Sequence, residues 1–244
     1  MSKSTGNRFL DHLSPALAQL VLDSAQFVPL PFREPLYREC VQPEHIYFLS
    51  EGLASVVVAP DDGVPVQVGM IGSEGLTGAG SLLGPAAIRS DCFMQIPGAG
   101  WRLPRATAQR LFDEQKEFRT RVLEFVQSQI SIFGVIAACN KIHEAEPRLA
   151  RVLLTAANRS GQDRLHLTQE FVSQMLGTRR TTVVLVAGRL KRSGLIKFSR
   201  GRVAICDRGK LRRVACSCYS VTNDVVATLY GANGRSEGEE RSLT

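Results

Sequence analysis

The sequence contains few aromatic residues, a single tryptophan and only six cysteines among its 244 residues. Cysteines as few and scattered as these do not make the disulfide framework of a small secreted protein. No apolar run reaches the ~18 residues that a membrane span requires, and the first residues lack the apolar core of a secretory signal. We therefore expect a globular, cytoplasmic chain with no membrane partner.

Sequence patterns for catalysis and metal binding are also missing. There is no phosphate-binding glycine loop, and no Ser/His/Asp or Cys/His arrangement is visible. Cys216 and Cys218 are too close together and too isolated for a four-ligand zinc site, so we interpret them as packed thiols. The histidines show no metal-ligand spacing: His12, His45, His143 and His166. We predict that the chain is not an enzyme and that it holds no metal or cofactor.

Charge is distributed very unevenly along the chain. Residues 141–220 contain 17 basic and 5 acidic side chains, a net charge of +12, whereas residues 1–140 have a net charge of −3. A cationic block beside a mildly acidic one is typical of a nucleic-acid-binding domain attached to a second domain. A solvated basic surface would give the same count.

The first half of the chain reads mostly as short strands. Residues 9–115 alternate β-branched runs with turns such as Glu51-Gly52 and Asp61-Asp62-Gly63. Many short strands at turn spacing predict a sandwich, jelly roll or small barrel. A short helix is expected before them, with one apolar stripe made of Phe9, Leu10, Leu13, Leu17 and Leu20.

Residues 105–140 are predicted to be helical throughout. Apolar residues follow alternating spacings of three and four, which favours pairing with a second helix, although an ordinary core helix explains the pattern equally well. The predicted dimer contacts are Val122, Phe125, Gln129, Ile132, Ile136 and Cys139. On this interpretation, aspartate at Phe125 and Ile132 would yield monomers.

The basic block contains a helix-turn-helix pattern followed by a hairpin. Thr168 is placed to cap a first helix, and Gly177 to end it. In the second helix an inward face is expected from four apolar residues at helical spacing: Val183, Val186, Ala187 and Leu190. Arg179 and Arg180 then lie at its exposed start, and the hairpin after Gly194 presents cationic side chains, namely Lys197, Arg200 and Arg202.

Two regions of the chain resemble the Crp/Fnr family of bacterial transcription regulators. The segments 167–183 and 194–201 are similar to its winged helix-turn-helix, and the segments 45–56 and 72–78 resemble its cyclic-nucleotide-binding-like jelly roll. The resemblance implies an α+β chain with a jelly-roll sensor domain (1–116), a dimerisation helix (117–140) and a winged helix-turn-helix domain (141–222). The Gly-rich residues 231–244 are expected to be a disordered tail.

The resemblance also implies a function and a set of contacts. A homodimer would read a two-fold site on double-stranded DNA and would work with RNA polymerase. Arg180 would bind guanine, the commonest specific contact, or hold only phosphate. The implied DNA-contacting residues are Thr168, Arg179, Arg180, Thr181, Thr182, Leu185, Arg189, Lys197, Arg200 and Arg202.

The family's effector pocket is the part that fits least well. The matching positions are Gly72, Glu74, Gly75, Arg89 and Ser90, but Ser73 precedes Glu74 where cyclic-nucleotide binders carry glycine, and Asp91 follows the cationic pair. A carboxylate beside a phosphate site is unfavourable. We therefore predict that cyclic AMP does not bind tightly, and that Gly72, Gly75 and Gly78 serve turn geometry.

Two other functions stay open. A cysteine-based redox sensor or enzyme would need a thiol of low pKa beside a base or a helix N-terminus. A ligand-binding module for RNA would need aromatic side chains for base stacking, and residues 141–218 offer only Phe171 and Phe198.

Overall fold

The computed structural model of the chain describes residues 4–61, 63, 65–199 and 201–231. The N-terminal helices and strands are α1 (Arg8–Asp11), α2 (Pro15–Asp23), β1 (Gln26–Leu30), β2 (Pro35–Tyr37), β3 (His45–Leu49), β4 (Leu53–Val58), β5 (Val66–Ile71), a 3-10 helix (Ala79–Leu82), β6 (Asp91–Ile96) and β7 (Gly98–Pro104). They are followed by α3 (Arg105–Glu114), α4 (Lys116–Ile142), α5 (Ala145–Ser160), β8 (Arg164–His166), α6 (Gln169–Leu176), α7 (Arg180–Arg192), β9 (Ile196–Ser199), β10 (Arg202–Ile205), α8 (Arg208–Val214) and α9 (Cys218–Tyr230). Of the predicted tail, only Gly231 is among the described residues, and the predicted turn residue Asp62 and wing residue Arg200 lie outside them.

The strands β1 to β7 form two antiparallel sheets that face each other, which we call the sandwich domain. One sheet has the order β1-β7-β3 and the other β2-β6-β4-β5. Apolar residues fill the space between them, including Phe48 and Leu103, which are fully buried. This mixed architecture, with a β-rich N-terminal domain, a long helix and a C-terminal helix-turn-helix, confirms the predicted fold class.

The N-terminal helix is split into two pieces. Pro15 is the first residue of α2, a position that proline tolerates because the missing N–H has no partner there anyway. The predicted single stripe is therefore wrong at its far end. Leu20 is 43% exposed, whereas Phe9 and Leu10 are buried in the sandwich core.

The long helical region is also interrupted once. Gln115 has an extended backbone (φ −104°, ψ 102°) between α3 and α4, so the prediction of one helix over 105–140 is wrong at this residue. The helix α4 has 27 residues and is long and apolar enough, by length and composition alone, to cross a membrane. Its apolar composition has an explanation within the protein, because Phe118, Val122 and Phe125 pack into the sandwich core.

The C-terminal half builds a second core around α5, α6 and α7. A three-stranded antiparallel sheet of order β8-β10-β9 closes it, and β8 is a strand that the sequence pattern did not indicate. This core continues into the sandwich domain, because Leu53, Met70 and Ile96 belong to the same cluster as Leu153 and Met175. The C-terminal core is thus in direct contact with β4, β5 and β6.

The last helix, α9, packs along α4. At its end, the Tyr230 hydroxyl donates a hydrogen bond to the Glu74 carbonyl oxygen, and the Arg8 guanidinium lies 4.6 Å from the centre of the Tyr230 ring. The end of α9 therefore contacts both the segment around Glu74 and the N-terminal residue Arg8.

Candidate nucleic-acid interface

The first helix of the predicted helix-turn-helix is built as its sequence indicates. The Thr168 hydroxyl oxygen accepts a hydrogen bond from the Phe171 backbone N–H at 3.1 Å, which satisfies one of the free donors of the first turn of α6. Gly177 ends the helix with a positive φ of 54°, a conformation in which glycine carries no steric penalty. The chain changes direction at this turn, and α7 begins three residues later at Arg180.

The second helix presents a clear inner and outer face. The predicted inward residues are all buried: Val183, Val186, Ala187 and Leu190. Arg179, Arg180 and Thr181 are exposed at its start, Leu185 is 53% exposed, and Thr182 is half-buried. Val184 is also exposed and was not predicted, although the helical period places it beside Thr181 on the outer face.

The hairpin of β9 and β10 forms the predicted wing beside this helix. Phe198 lies opposite Val203 in antiparallel register, and the side chains of Lys197 and Arg202 are exposed. The wing turn approaches the start of α6, because a Cβ on Gly201 would lie 3.3 Å from the Thr168 Cγ2. Thr168 and the wing thus belong to one surface.

This surface is cationic and largely unpaired. In the described part of the chain, no carboxylate forms an ion pair with Arg179, Arg180, Lys197 or Arg202. The first turn of α7 also lacks acidic residues, so nothing in that turn offsets the positive end of the helix dipole. Such a helix start favours anionic groups such as phosphate.

Arg189 is placed differently from the other predicted DNA contacts. Its Nη1 lies 3.3 Å from the Glu146 Oε2 on α5, while its side chain stays 51% exposed. The arginine therefore links α7 to α5 through an ion pair at the surface, unlike Arg179 and Arg180.

The predicted dimer contacts are not free to meet a partner. Val122, Phe125, Gln129, Ile132 and Cys139 are all buried within the chain itself, and Ile136 is half-buried. The prediction of a dimer interface is therefore wrong at the five buried residues, because α4 is already covered on this side by the sandwich and by α9. Aspartate at Phe125 and Ile132 would place charges in the core and unfold the chain.

The exposed side of α4 carries its own repeat, which we call the exposed seam. Its members also alternate by three and four residues: Lys116, Thr120, Leu123, Gln127, Ile130, Gly134, Ala137 and Lys141. Leu123 is 47% exposed and Ile130 is 65% exposed. Small side chains at Gly134 and Ala137 would let a second helix approach closely.

The predicted effector residues do not come together around an open site. The Glu74 carboxylate is buried, and its Oε1 lies 3.1 Å from the Arg159 Nη1 of α5. Arg89 is exposed, and its Nη1 lies 3.4 Å from the Glu39 Oε1 and 3.2 Å from the Cys40 Sγ. Ser90 lies beside Tyr37, with 3.4 Å between the two hydroxyl oxygens.

Gly72 and Gly75 allow close packing against neighbouring helices. Of the three predicted turn glycines, only Gly78 has a positive φ. A Cβ on Gly75 would overlap the Phe125 ring of α4, and a Cβ on Gly72 would lie 2.7 Å from the Arg159 carbonyl oxygen of α5. The segment therefore fixes the positions of the two helices against the sandwich. Gly72 and Gly75 also bound a turn, as predicted, because the Gly75 N–H donates a hydrogen bond to the Gly72 carbonyl oxygen at 3.4 Å. The close contacts, rather than a positive φ, are what require glycine at these two positions.

We expect Gly75→Ala to destabilise the chain by about 1–3 kcal/mol, because the added methyl group overlaps the Phe125 ring. Urea unfolding followed by circular dichroism measures this loss. Gly84→Ala is the matched control, since a Cβ there meets nothing within 4 Å. Equal stability of the two variants would contradict the packing role of Gly75.

The cysteines near the C-terminus are not isolated, contrary to the prediction. Cys216 and Cys218 lie against Cys139 and His143 from the end of α4. The signal that could have indicated this is the Cys139-x-x-x-His143 spacing, one helical turn on the same face. Burial, followed by the neighbouring Cys139, raises the pKa of Cys218 to about 12, which is the opposite of a reactive cysteine.

Comparison with known proteins agrees with this description of the C-terminal half. Residues 147–214 match the model of the Crp-like helix-turn-helix domain. No curated protein sequence matches the chain.

Most of the chain resembles solved structures of one family. A Crp/Fnr-family protein from Eubacterium rectale superposes with a TM-score of 0.67 at 15% identity, covering 86% of this chain and 99% of the other. FixK2 from Bradyrhizobium japonicum gives 0.65 at 15% identity, with 79% and 98% covered. A CRP-family transcriptional regulator from Thermus thermophilus gives 0.63 at 24% identity, with 77% and 96% covered. The chain thus carries a Crp-like helix-turn-helix domain within the fold of the Crp/Fnr family of transcription regulators.

Proposed function

We propose that the chain is a homodimeric transcription regulator that binds a two-fold site on double-stranded DNA. The observation that carries this proposal is the exposed, unpaired cationic start of α7 beside the wing. Regulation of transcription would add RNA polymerase as a further partner.

The geometry supports a division of roles among the exposed side chains. Arg180 is exposed in the first turn of α7, the part of a recognition helix that reaches base edges in the major groove. Arginine there can bind guanine O6 and N7 together, while the exposed Leu185 and Val184 suit thymine methyl groups. Arg179, Lys197 and Arg202 would bind phosphates, which fixes register without reading sequence.

The exposed seam of α4 supports self-association. Pairing two seams would bury Leu123 and Ile130, which lie exposed in the single chain. A symmetric pair of recognition helices fits half-sites about 34 Å apart, one turn of DNA.

Control by a signal would act through the contact between the two domains. The buried Glu74–Arg159 pair joins the sandwich to α5, and the Gln95 amide lies 3.8 Å from the Met175 sulfur of α6. A ligand that displaced these contacts would change the orientation of the helix-turn-helix.

The experiment that tests the proposal compares duplex DNA with single-stranded RNA in a fluorescence-anisotropy titration at several salt concentrations. We expect tighter binding to duplex DNA and an affinity that falls steeply with salt, because phosphate contacts release counterions. Equal affinity for both nucleic acids would contradict it.

Cyclic AMP is expected to leave the melting temperature of the chain unchanged. The Glu74 carboxylate that would hold a ribose is paired with Arg159, and Arg89 lies at the surface beside Glu39 and Cys40. A thermal-shift titration checks this, because a ligand that binds only the folded state raises its stability. A rise in melting temperature that saturates with cyclic AMP would contradict the prediction.

A further inference from the structure

Four side chains with metal-binding atoms converge where the long helix meets the C-terminal domain. Cys139 is in the last turn of α4, His143 follows the last residue of that helix, Cys216 precedes α9 and Cys218 is the first residue of α9. Their sulfur and ring nitrogen atoms all lie within 4.8 Å of one another. The Cys139 and Cys216 sulfurs are 3.5 Å apart, and the Cys218 sulfur is 3.7 Å from the His143 Nδ1.

The Cys139–Cys216 and Cys218–His143 separations match the edges of a tetrahedral single-ion coordination sphere, and the other separations stay within 4.8 Å. Tetrahedral zinc, with Zn–S bonds of about 2.3 Å and Zn–N bonds of about 2.0–2.1 Å, places its ligand atoms about 3.5–3.8 Å apart. Three cysteines and one histidine are a known composition for structural zinc. An iron–sulfur cluster would hold its cysteines farther apart, since several metal ions then separate the thiolates.

The surroundings of the cluster supply a second, independent observation. Arg148 and Arg151 are 8% and 3% exposed, and the Nε of each is buried without a hydrogen-bond partner. Neither forms an ion pair with a carboxylate among the described residues. Arg148 lies beside the cluster, because its Nη1 and Nη2 donate hydrogen bonds to the backbone and side-chain oxygens of Asn140, the residue after Cys139, at 3.5 Å and 2.9 Å.

The negative charge of a zinc centre with three thiolate ligands would compensate for positive charge on these buried arginines. Three thiolates, one neutral imidazole and one Zn²⁺ carry a net charge of −1, which compensates for a buried guanidinium. Buried charges are stable when they are paired with an opposite charge. As free thiols the same three cysteines would leave both arginines without an anionic partner.

We propose that Cys139, His143, Cys216 and Cys218 form a four-ligand zinc site. The site is closed, with all four positions filled by protein, so it is structural rather than catalytic. The ion would join the end of α4, the turn into α5 and the start of α9. The Cys216 N–H also bonds to the Pro147 carbonyl oxygen of α5 at 3.4 Å, so zinc would fix the angle between the long helix and the C-terminal domain.

The test measures zinc in the purified full chain without reference to DNA. Protein prepared without added metal or chelator is expected to contain about one zinc ion per chain. Inductively coupled plasma mass spectrometry measures this content. After the zinc is removed and Co²⁺ is added, the chain should show the visible bands of tetrahedral cobalt bound to thiolates. Removal of the metal should also lower the melting temperature, because structural zinc contributes to folding.

Variants identify the ligands. Cys216→Ser and His143→Gln are expected to lose most of the zinc, whereas Cys40→Ser and Cys206→Ser, which change exposed cysteines, should keep it. If a ligand variant fails to fold, thiol alkylation of the unmodified chain decides instead. Zinc should then protect three of the six cysteines, and its removal should expose them.

Three results would overturn the proposal. The first is a zinc content near zero that added zinc does not restore. The second is cobalt spectra without thiolate bands. The third is a disulfide between Cys139 and Cys216 in protein kept under reducing conditions. Because these readouts do not depend on DNA, a chain that binds zinc and ignores duplex DNA would refute only the proposed function.

Discussion

Arg180→Ala is expected to reduce discrimination between a specific DNA site and random duplex DNA by about 5- to 150-fold per half-site. This corresponds to the 1–3 kcal/mol that a bidentate arginine–guanine contact contributes. The side chain is exposed at the start of α7 and forms no ion pair in the described part of the chain, so its removal leaves the fold intact. Weak, salt-sensitive binding should persist through the phosphate contacts. Competition gel shifts with specific and random duplexes measure the ratio.

Arg110→Ala is the matched control for this substitution. Arg110 is an exposed arginine on α3, so the change in net charge is the same while α7 is untouched. It should leave the discrimination ratio unaltered. If Arg180→Ala weakened binding to specific and random DNA equally, Arg180 would be a phosphate contact and sequence would be read elsewhere on α7.

The double substitution Leu123→Glu and Ile130→Glu is expected to produce monomers. Both side chains are exposed in the single chain, so glutamate there does not disturb the core, but it places four carboxylates between the paired seams of a dimer. Light scattering measures the mass in solution. DNA affinity should fall by about 100-fold or more, because the second half-site no longer binds as part of one molecule.

A control pair of similar chemistry is available away from α4, on α2 and in the loop between β2 and β3. Leu20 and Val41 are 43% and 60% exposed, and glutamate at both should preserve the dimer. A dimer that persisted in the Leu123 and Ile130 variant would place the interface outside the exposed seam of α4.

The local features of the C-terminal half could be predicted because they are specified by neighbouring residues. The Thr168 cap, the Gly177 turn and the inward face of α7 each depend on side chains within a few positions of one another. The same is true of the wing, whose strands alternate inward and outward side chains. The third strand of this sheet, β8, was not predicted from the sequence. It is only three residues long and is a strand because it pairs with β10.

Features that depend on distant parts of the chain could not be predicted in this way. The spacing on α4 predicts a helix with apolar faces, but which face meets solvent depends on the Gly75–Phe125 contact and on α9. The cysteine cluster likewise forms only when residues 77 positions apart, Cys139 and Cys216, are brought together. In both cases the residue types were visible, whereas their partners were determined by the tertiary fold.

The most direct test of DNA recognition by α7 is selection of bound sequences from a pool of random duplex DNA by the purified full chain. We predict enrichment of a two-fold motif with half-sites one helical turn apart, and loss of that enrichment in Arg180→Ala. Recovery of no duplex at low salt, or of sequences with no shared motif, would contradict it.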